Sequence, residues 1–175
     1  MEACPGSLKE VIEYTRMKKR NLSLLAKINL LLQLTSGVAY VHTQSGQPHG
    51  NLHPTNILIS PTLTPLISDL FMVSTEQRFL KKDLNSSFVA PECKQTKQPS
   101  FASDIYSMGC LILYVLTDGE REVSSDLNFS VIEPEAIALL VKRCCLQDPS
   151  VLMSFTFLCV ATSIHPDHFE RFGDF

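Results

Sequence analysis

At 175 residues the chain is long enough for one domain with a substantial core, and its 45% hydrophobic content suits a soluble fold. The 15 basic and 18 acidic residues, net charge -3, are spread along the sequence and leave neither a basic footprint for nucleic acid nor an acidic tail. The opening MEACPGSLKE lacks the apolar run and cleavage-like site of a secretory signal, and neither residues 24–34 nor 151–164 reach the roughly 20 apolar residues of a membrane span, so a cytoplasmic setting without a membrane is expected.

In chain order, Ser7-Leu-Lys-Glu10 is a capping box, with the serine oxygen accepting a backbone N–H three residues on and the glutamate reaching back. A helix is predicted from Leu8, with Leu8, Val11, Ile12 and Thr15 at helical spacing, fading into the charged end Lys18-Lys19-Arg20. That basic triplet is read as a solvated helix end, because phosphate binding needs a larger patch. Ser23 caps a longer helix in which Leu24, Leu25, Ile28, Leu31, Leu32, Thr35, Val38, Ala39 and His42 follow the 3.6-residue period. The chain breaks between Gln44 and Pro48, and residues 57–59 and 66–67 then predict a short β-hairpin around Ser60-Pro61-Thr62. Residues 68–99 have weak periodicity and predict a long extended segment over the surface. Helical patterning returns at 103–116, where Ile105, Met108, Leu111, Ile112 and Val115 give an apolar face broad enough for a mostly buried helix. After the loop 119–130, Pro134 fits the first turn of a last helix, 135–146.

The six cysteines form no C-x-x-C pair, and Cys144 and Cys145 lie in an apolar helical pattern, so buried free thiols are expected. His165 and His168, with Pro166 between them, lack both a helix to hold them and further ligands, which argues against a metal site there.

The segment His49-Gly-Asn-Leu-His-Pro-Thr-Asn-Ile-Leu58 resembles the catalytic loop of protein kinases, H-R-D-L-x-x-x-N. Asp69-Leu-Phe71 stands where that family has D-F-G, Ala90-Pro91-Glu92 where it has A-P-E, and Asp104-Ile-Tyr-Ser-Met-Gly109 opens the next buried helix. The resemblance covers residues 1–155 and implies a mainly α, kinase-like C-terminal lobe with a short β-hairpin at the catalytic loop, followed by a tail, 156–175. The G-x-G-x-x-G loop, the V-A-I-K lysine and the helix glutamate are absent from the sequence, so the N-lobe is expected to be missing.

The resemblance assigns roles, and the departures weaken them. Asn51 occupies the position of the catalytic base, and a carboxamide cannot accept the substrate proton. His49 and His53 flank it; His53 stands where many serine/threonine kinases have a phosphate-contacting lysine, and a neutral imidazole is a poor substitute. Gly50 replaces the arginine that pairs with a phosphorylated activation segment, so phosphate on Ser74, Thr75, Ser86 or Ser87 would lack its usual partner. Phe71 replaces the motif glycine and removes its backbone freedom. Asn56 and Asp69 survive as the oxygen ligands the family uses for magnesium. Asp104, Gly109, Ala90, Pro91 and Glu92 are the retained structural residues, although Leu152 occupies the place of the arginine that usually pairs with the A-P-E glutamate, leaving Arg143 as a candidate partner for Glu92.

These readings imply a pseudokinase fragment serving as an interaction or regulatory module with a protein partner. No cofactor of useful affinity is expected, and Mg-ATP only if an N-lobe completes the site. The alternative is a nucleotide-dependent Ser/Thr kinase, weakly active or truncated from a longer product. A local likeness of Leu113-Tyr-Val-Leu-Thr-Asp-Gly119 and the following Glu133-Pro-Glu helix to the kinase-homology domains of ribonuclease L and its stress-sensor relatives is a third thread, but RNA cleavage by this chain alone is not expected.

Overall fold

The computed structural model describes residues 6–68, 84–121, 123 and 135–145. Five α-helices and one small antiparallel sheet make up the regular structure of these residues. In chain order they are β1 (Gly6–Ser7), α1 (Leu8–Met17), α2 (Leu24–Ser45), a 3-10 turn (Pro54–Asn56), β2 (Ile57–Ile59), β3 (Pro65–Ile67), α3 (Pro91–Thr96), α4 (Phe101–Leu116) and α5 (Glu135–Cys145).

The predicted capping box forms at α1: the Ser7 hydroxyl accepts the Glu10 N–H at 3.3 Å, and Glu10 Oε2 accepts the Ser7 N–H at 2.7 Å. Those bonds to Ser7 hold the Glu10 carboxyl below its ordinary pKa, so the staple is intact at neutral pH and is lost as the pH falls through that lowered value. Lys18, Lys19 and Arg20 are all exposed, as a solvated helix end should be. Ser23 caps α2 through the Ala26 N–H, and Gly46 closes it in the left-handed conformation at φ 63°. By length and composition α2 could cross a membrane; in this structure its inner face buries Lys27, Leu30, Leu31, Leu34, Thr35, Val38 and Val41.

The hairpin forms with β3 one residue longer than predicted, pairing Ile57 with Ile67 and Ile59 with Pro65. Strand β1 was not expected; it adds to the other edge of β2, Gly6 opposite Ile59 and Ser7 opposite Leu58. Two residues are too few for any period to register in sequence.

The expectation of an extended segment over 68–99 is corrected in its second half, because α3 lies within it. Pro91 starts that helix at its first turn and Lys97, at φ 59°, ends it. Six residues make under two turns, too short for an amphipathic pattern. Residues 69–83 lie outside the described residues.

Helix α4 is the centre of the core, with twelve of its sixteen residues buried, as its broad apolar face predicts. A second capping box, Ser100 with Ser103, moves its start to Phe101. The core joins Leu8 and Ile12 of α1, Leu30, Leu34 and Val38 of α2, Ile57 and Ile59 of β2, and Met108, Leu111 and Leu113 of α4.

Helix α5 packs on α4 at Gly109. A methyl group there would sit 2.6 Å from Cys144 Cβ and 2.9 Å from Cys145 Sγ, so glycine is required by the closeness of the two helices. Gly109→Ala should therefore cost about 1–3 kcal/mol by overpacking; chemical unfolding reads this directly, and a loss below about 0.5 kcal/mol would mean that α5 does not lie this close. Cys93, Cys110 and Cys144 are buried free thiols and Cys145 a partly buried one; Cys4 and Cys159 lie outside the described residues.

Candidate active site

The loop between α2 and β2 is held from below by one carboxylate. Asp104, in the first turn of α4 and 1% exposed, accepts the His49 N–H at 2.6 Å and the Gly50 N–H at 2.9 Å, and its Oδ2 lies 2.7 Å from His42 Nε2. The positive end of the α4 dipole adds to this setting, which is why a buried carboxylate is tolerable in the core. His42 is the C-terminal-turn residue of α2, edge-on to Phe101 at 4.8 Å, so three elements meet at Asp104.

His49 is buried. Its Nδ1 accepts the Asn51 N–H at 3.2 Å, which places the ring proton on Nε2, 3.0 Å from the Ser68 carbonyl. The ring thus ties the loop to the end of β3 and is a positioning group. Gly50 adopts φ 77°, a left-handed conformation that glycine enters at no steric cost. Replacement of the family arginine by glycine therefore removes a guanidinium and relaxes the backbone in the same position.

Asn51 is partly buried, and its backbone carbonyl accepts Asn56 Nδ2 at 3.0 Å. The Asn56 carbonyl accepts both the N–H, at 3.0 Å, and the hydroxyl, at 2.9 Å, of Ser68, and its Oδ1 lies 3.4 Å from the Thr55 hydroxyl. The structure thus brings Asn51, Asn56 and Ser68 together. Of the two magnesium ligands that the resemblance implies, Asn56 has the right donor, an amide oxygen on an oriented side chain, and fits a hard cation; Asp69 and Phe71 lie outside the described residues.

His53 is not free to contact phosphate in the way a lysine would. Its Nδ1 lies 2.7 Å from the Thr55 hydroxyl and accepts the Thr55 N–H at 3.3 Å, and its ring meets Phe88 edge-on at 4.8 Å. Phe88 in turn packs on Tyr114 of α4, and its carbonyl accepts the Ser107 hydroxyl at 2.7 Å. The segment before Ala90 is thereby latched onto α4 directly beneath the loop. Ala90 is buried, while Pro91 and Glu92 are half-buried. Burial first, and after it the neighbouring thiols and the charge of Glu92, raise the Tyr106 hydroxyl above its ordinary pKa.

This ordered set (an anchored H-x-N loop, its asparagine partner, the hairpin and the A-P-E helix start) follows one known pattern from end to end. Residues 1–159 match the protein tyrosine and serine/threonine kinase family. The chain belongs to this family. Among similar kinases, pollen receptor-like kinase 6 of Arabidopsis thaliana is 33% identical over 99 residues, 55% of this chain and 15% of that protein. A probable serine/threonine-protein kinase of Dictyostelium discoideum is 26% identical over 169 residues, 86% of this chain and 16% of its own length. An inactive leucine-rich repeat receptor-like serine/threonine-protein kinase of Arabidopsis thaliana is 26% identical over 144 residues, 66% of this chain and 22% of that protein. The chain thus spans under a quarter of the length of these relatives. The likeness to ribonuclease L gains no support from them, and its 113–119 stretch has a local explanation. It is the end of α4, where Asp118 and Gly119 turn left-handed at φ 52° and 73° and the Gly119 N–H returns to the Tyr114 carbonyl at 2.8 Å.

Sequence reasoning missed one buried pair. Lys27 of α2 reaches Asp118 Oδ2 at 2.7 Å and the Leu116 carbonyl at 3.2 Å, with both side chains almost wholly buried. No local signal could have found it, because the partners are 91 positions apart.

Proposed function

We propose that this chain is a catalytically impaired kinase domain, a pseudokinase lobe that works as an interaction or regulatory module. The observation that carries the reading is Asn51: its loop is anchored through His49 and Gly50 on Asp104, its carbonyl holds Asn56, and the side chain at the base position is an amide. An amide cannot take up the hydroxyl proton, and losing a general base costs about 100- to 10,000-fold in rate. The tethering of His53 to Thr55 and Phe88, where a lysine would contact phosphate, supports the same reading. So does the existence of a similar kinase named as inactive. The partner would be a protein in the cytoplasm rather than nucleic acid or membrane, in keeping with a net charge of -3 without a basic patch.

In this reading His49 and Asp104 keep the loop in place, Asn56 and Asp69 would hold magnesium if nucleotide binds, and the ion would neutralise phosphate charge. Transfer of labelled phosphate from Mg-ATP to the chain or a generic substrate should stay at background for the native sequence. Turnover abolished by Asp69→Ala would overturn the proposal.

The second reading, a nucleotide-dependent kinase completed by an N-lobe on a longer product, is favoured by the oriented Asn56 side chain. It predicts a rise in Tm in millimolar Mg-ATP, since a ligand at about 100 times its Kd stabilises by about 2.7 kcal/mol. An unchanged Tm is the outcome expected from the first reading.

A further inference from the structure

Eight large apolar side chains are exposed among the described residues, and four of them, Tyr14, Met17, Leu24 and Leu25, each more than half exposed, fall across the end of α1 and the start of α2. Single exposed apolar residues need no explanation, but a cluster of them marks an interaction surface. The connection between the two helices turns back on α1, with the Lys19 N–H bonded to the Arg16 carbonyl at 3.0 Å and the Arg20 N–H to the Thr15 carbonyl at 2.9 Å. Arg16 Nη1 donates to the Gly119 carbonyl at 3.5 Å, which ties this corner to the end of α4.

The charge of the corner is one-sided. Lys9 pairs with Glu13 and Lys27 with Asp118, whereas Lys18, Lys19 and Arg20 are exposed and pair with no carboxylate among the described residues. Lys18 stands instead over the Tyr14 ring, 5.7 Å from its centroid. In a chain with 18 acidic and 15 basic residues, this is a local reversal of sign.

We propose that the α1–α2 corner is a docking surface for an acidic segment of a partner protein, one with aliphatic or aromatic anchors between its carboxylates. The three cations receive the carboxylates, and Met17, unbranched and adaptable, takes an anchor together with Leu24 and Leu25. Three cations are too few for nucleic acid. A membrane fits less well, because Leu8 and Ile12, the apolar stripe of α1, are already buried and leave the helix no apolar face to lay into a bilayer. The net charge of -3 also opposes a broad anionic surface, while a short segment feels only the nearby cations, since charges beyond about 8 Å are screened at physiological ionic strength. The 22 residues of α2 put its start about 33 Å from the catalytic loop, so the inference goes beyond the pseudokinase reading and stands whether or not the chain transfers phosphate.

The test pans a random-peptide display library against the full chain and measures the enriched sequence as a labelled synthetic peptide. Enrichment of peptides that combine several Asp or Glu with a large apolar residue is expected, with affinity that falls as salt is raised. Lys18→Glu combined with Arg20→Glu should weaken that peptide by about tenfold or more, and Met17→Ser combined with Leu25→Ser several-fold. Tyr40→Ser, at an exposed position farther along α2, should leave its affinity unchanged. Lys19→Gly decides the matter even if the charge reversals fail to fold: Lys19 sits at φ 52°, which glycine adopts without strain, so Tm should hold or rise while affinity drops by about two- to fivefold. No enriched peptide, enrichment of neutral or basic sequences, full affinity in the charge-reversed chain or in Lys19→Gly, or tighter binding to phosphatidylserine vesicles than to the peptide would each overturn the proposal.

Discussion

Asp104→Ala should cost about 3–5 kcal/mol of folding stability, the range for removing one partner from a buried charged network. The methyl group would leave the His49 and Gly50 N–H groups and the His42 ring nitrogen without their shared acceptor, in a pocket where the carboxylate is 1% exposed. Each abandoned buried donor loses about 1–3 kcal/mol of solvation, and a domain typically has only about 5–15 kcal/mol in hand. Asp104→Asn should fall between the two, because its single oxygen can serve the His49 and His42 side while its NH2 opposes the Gly50 N–H. Urea unfolding of the three proteins, compared by midpoint at constant m, provides the measurement. A loss below about 1 kcal/mol for the alanine variant would show that Asp104 does not anchor the loop.

The second large effect is expected at Lys27. Lys27→Met should lose about 3–5 kcal/mol, because it strands the Asp118 carboxylate in a site where Oδ1 already has no hydrogen-bond partner among the described residues. Adding Asp118→Asn, which suits the left-handed backbone at φ 52°, removes the stranded charge and should recover at least about 2 kcal/mol. A double variant no more stable than the single one would mean that the two side chains are not coupled.

The legible parts of this fold were those with a local chemical signature. Ser7 with Glu10, Ser23, and the two apolar runs with the turn residues between them at 57–67 placed α1, α2 and the hairpin within a few residues, because capping and turn chemistry act over three or four positions. Helix α3 and strand β1 were invisible for the opposite reason: they are too short for a period, and tertiary pairing alone defines them. At the site, the resemblance assigned Asn51, Asn56, His49 and Asp104, and the geometry supplies what each does. The helix-to-helix approach that makes Gly109 necessary, the tether on His53 and the Lys27–Asp118 pair depend on distant contacts that no window of sequence contains.

Strand β1 has a mechanical consequence. Gly6 and Ser7 are zipped to Ile59 and Leu58, and β2 begins one residue after Asn56, so tension applied at residue 6 enters the loop bearing Asn51 without first crossing the helical core. Two residue pairs make a weak joint, which would peel before α2 or α4 yields. A pull at that edge is thus felt first at the loop that bears Asn51 and Asn56.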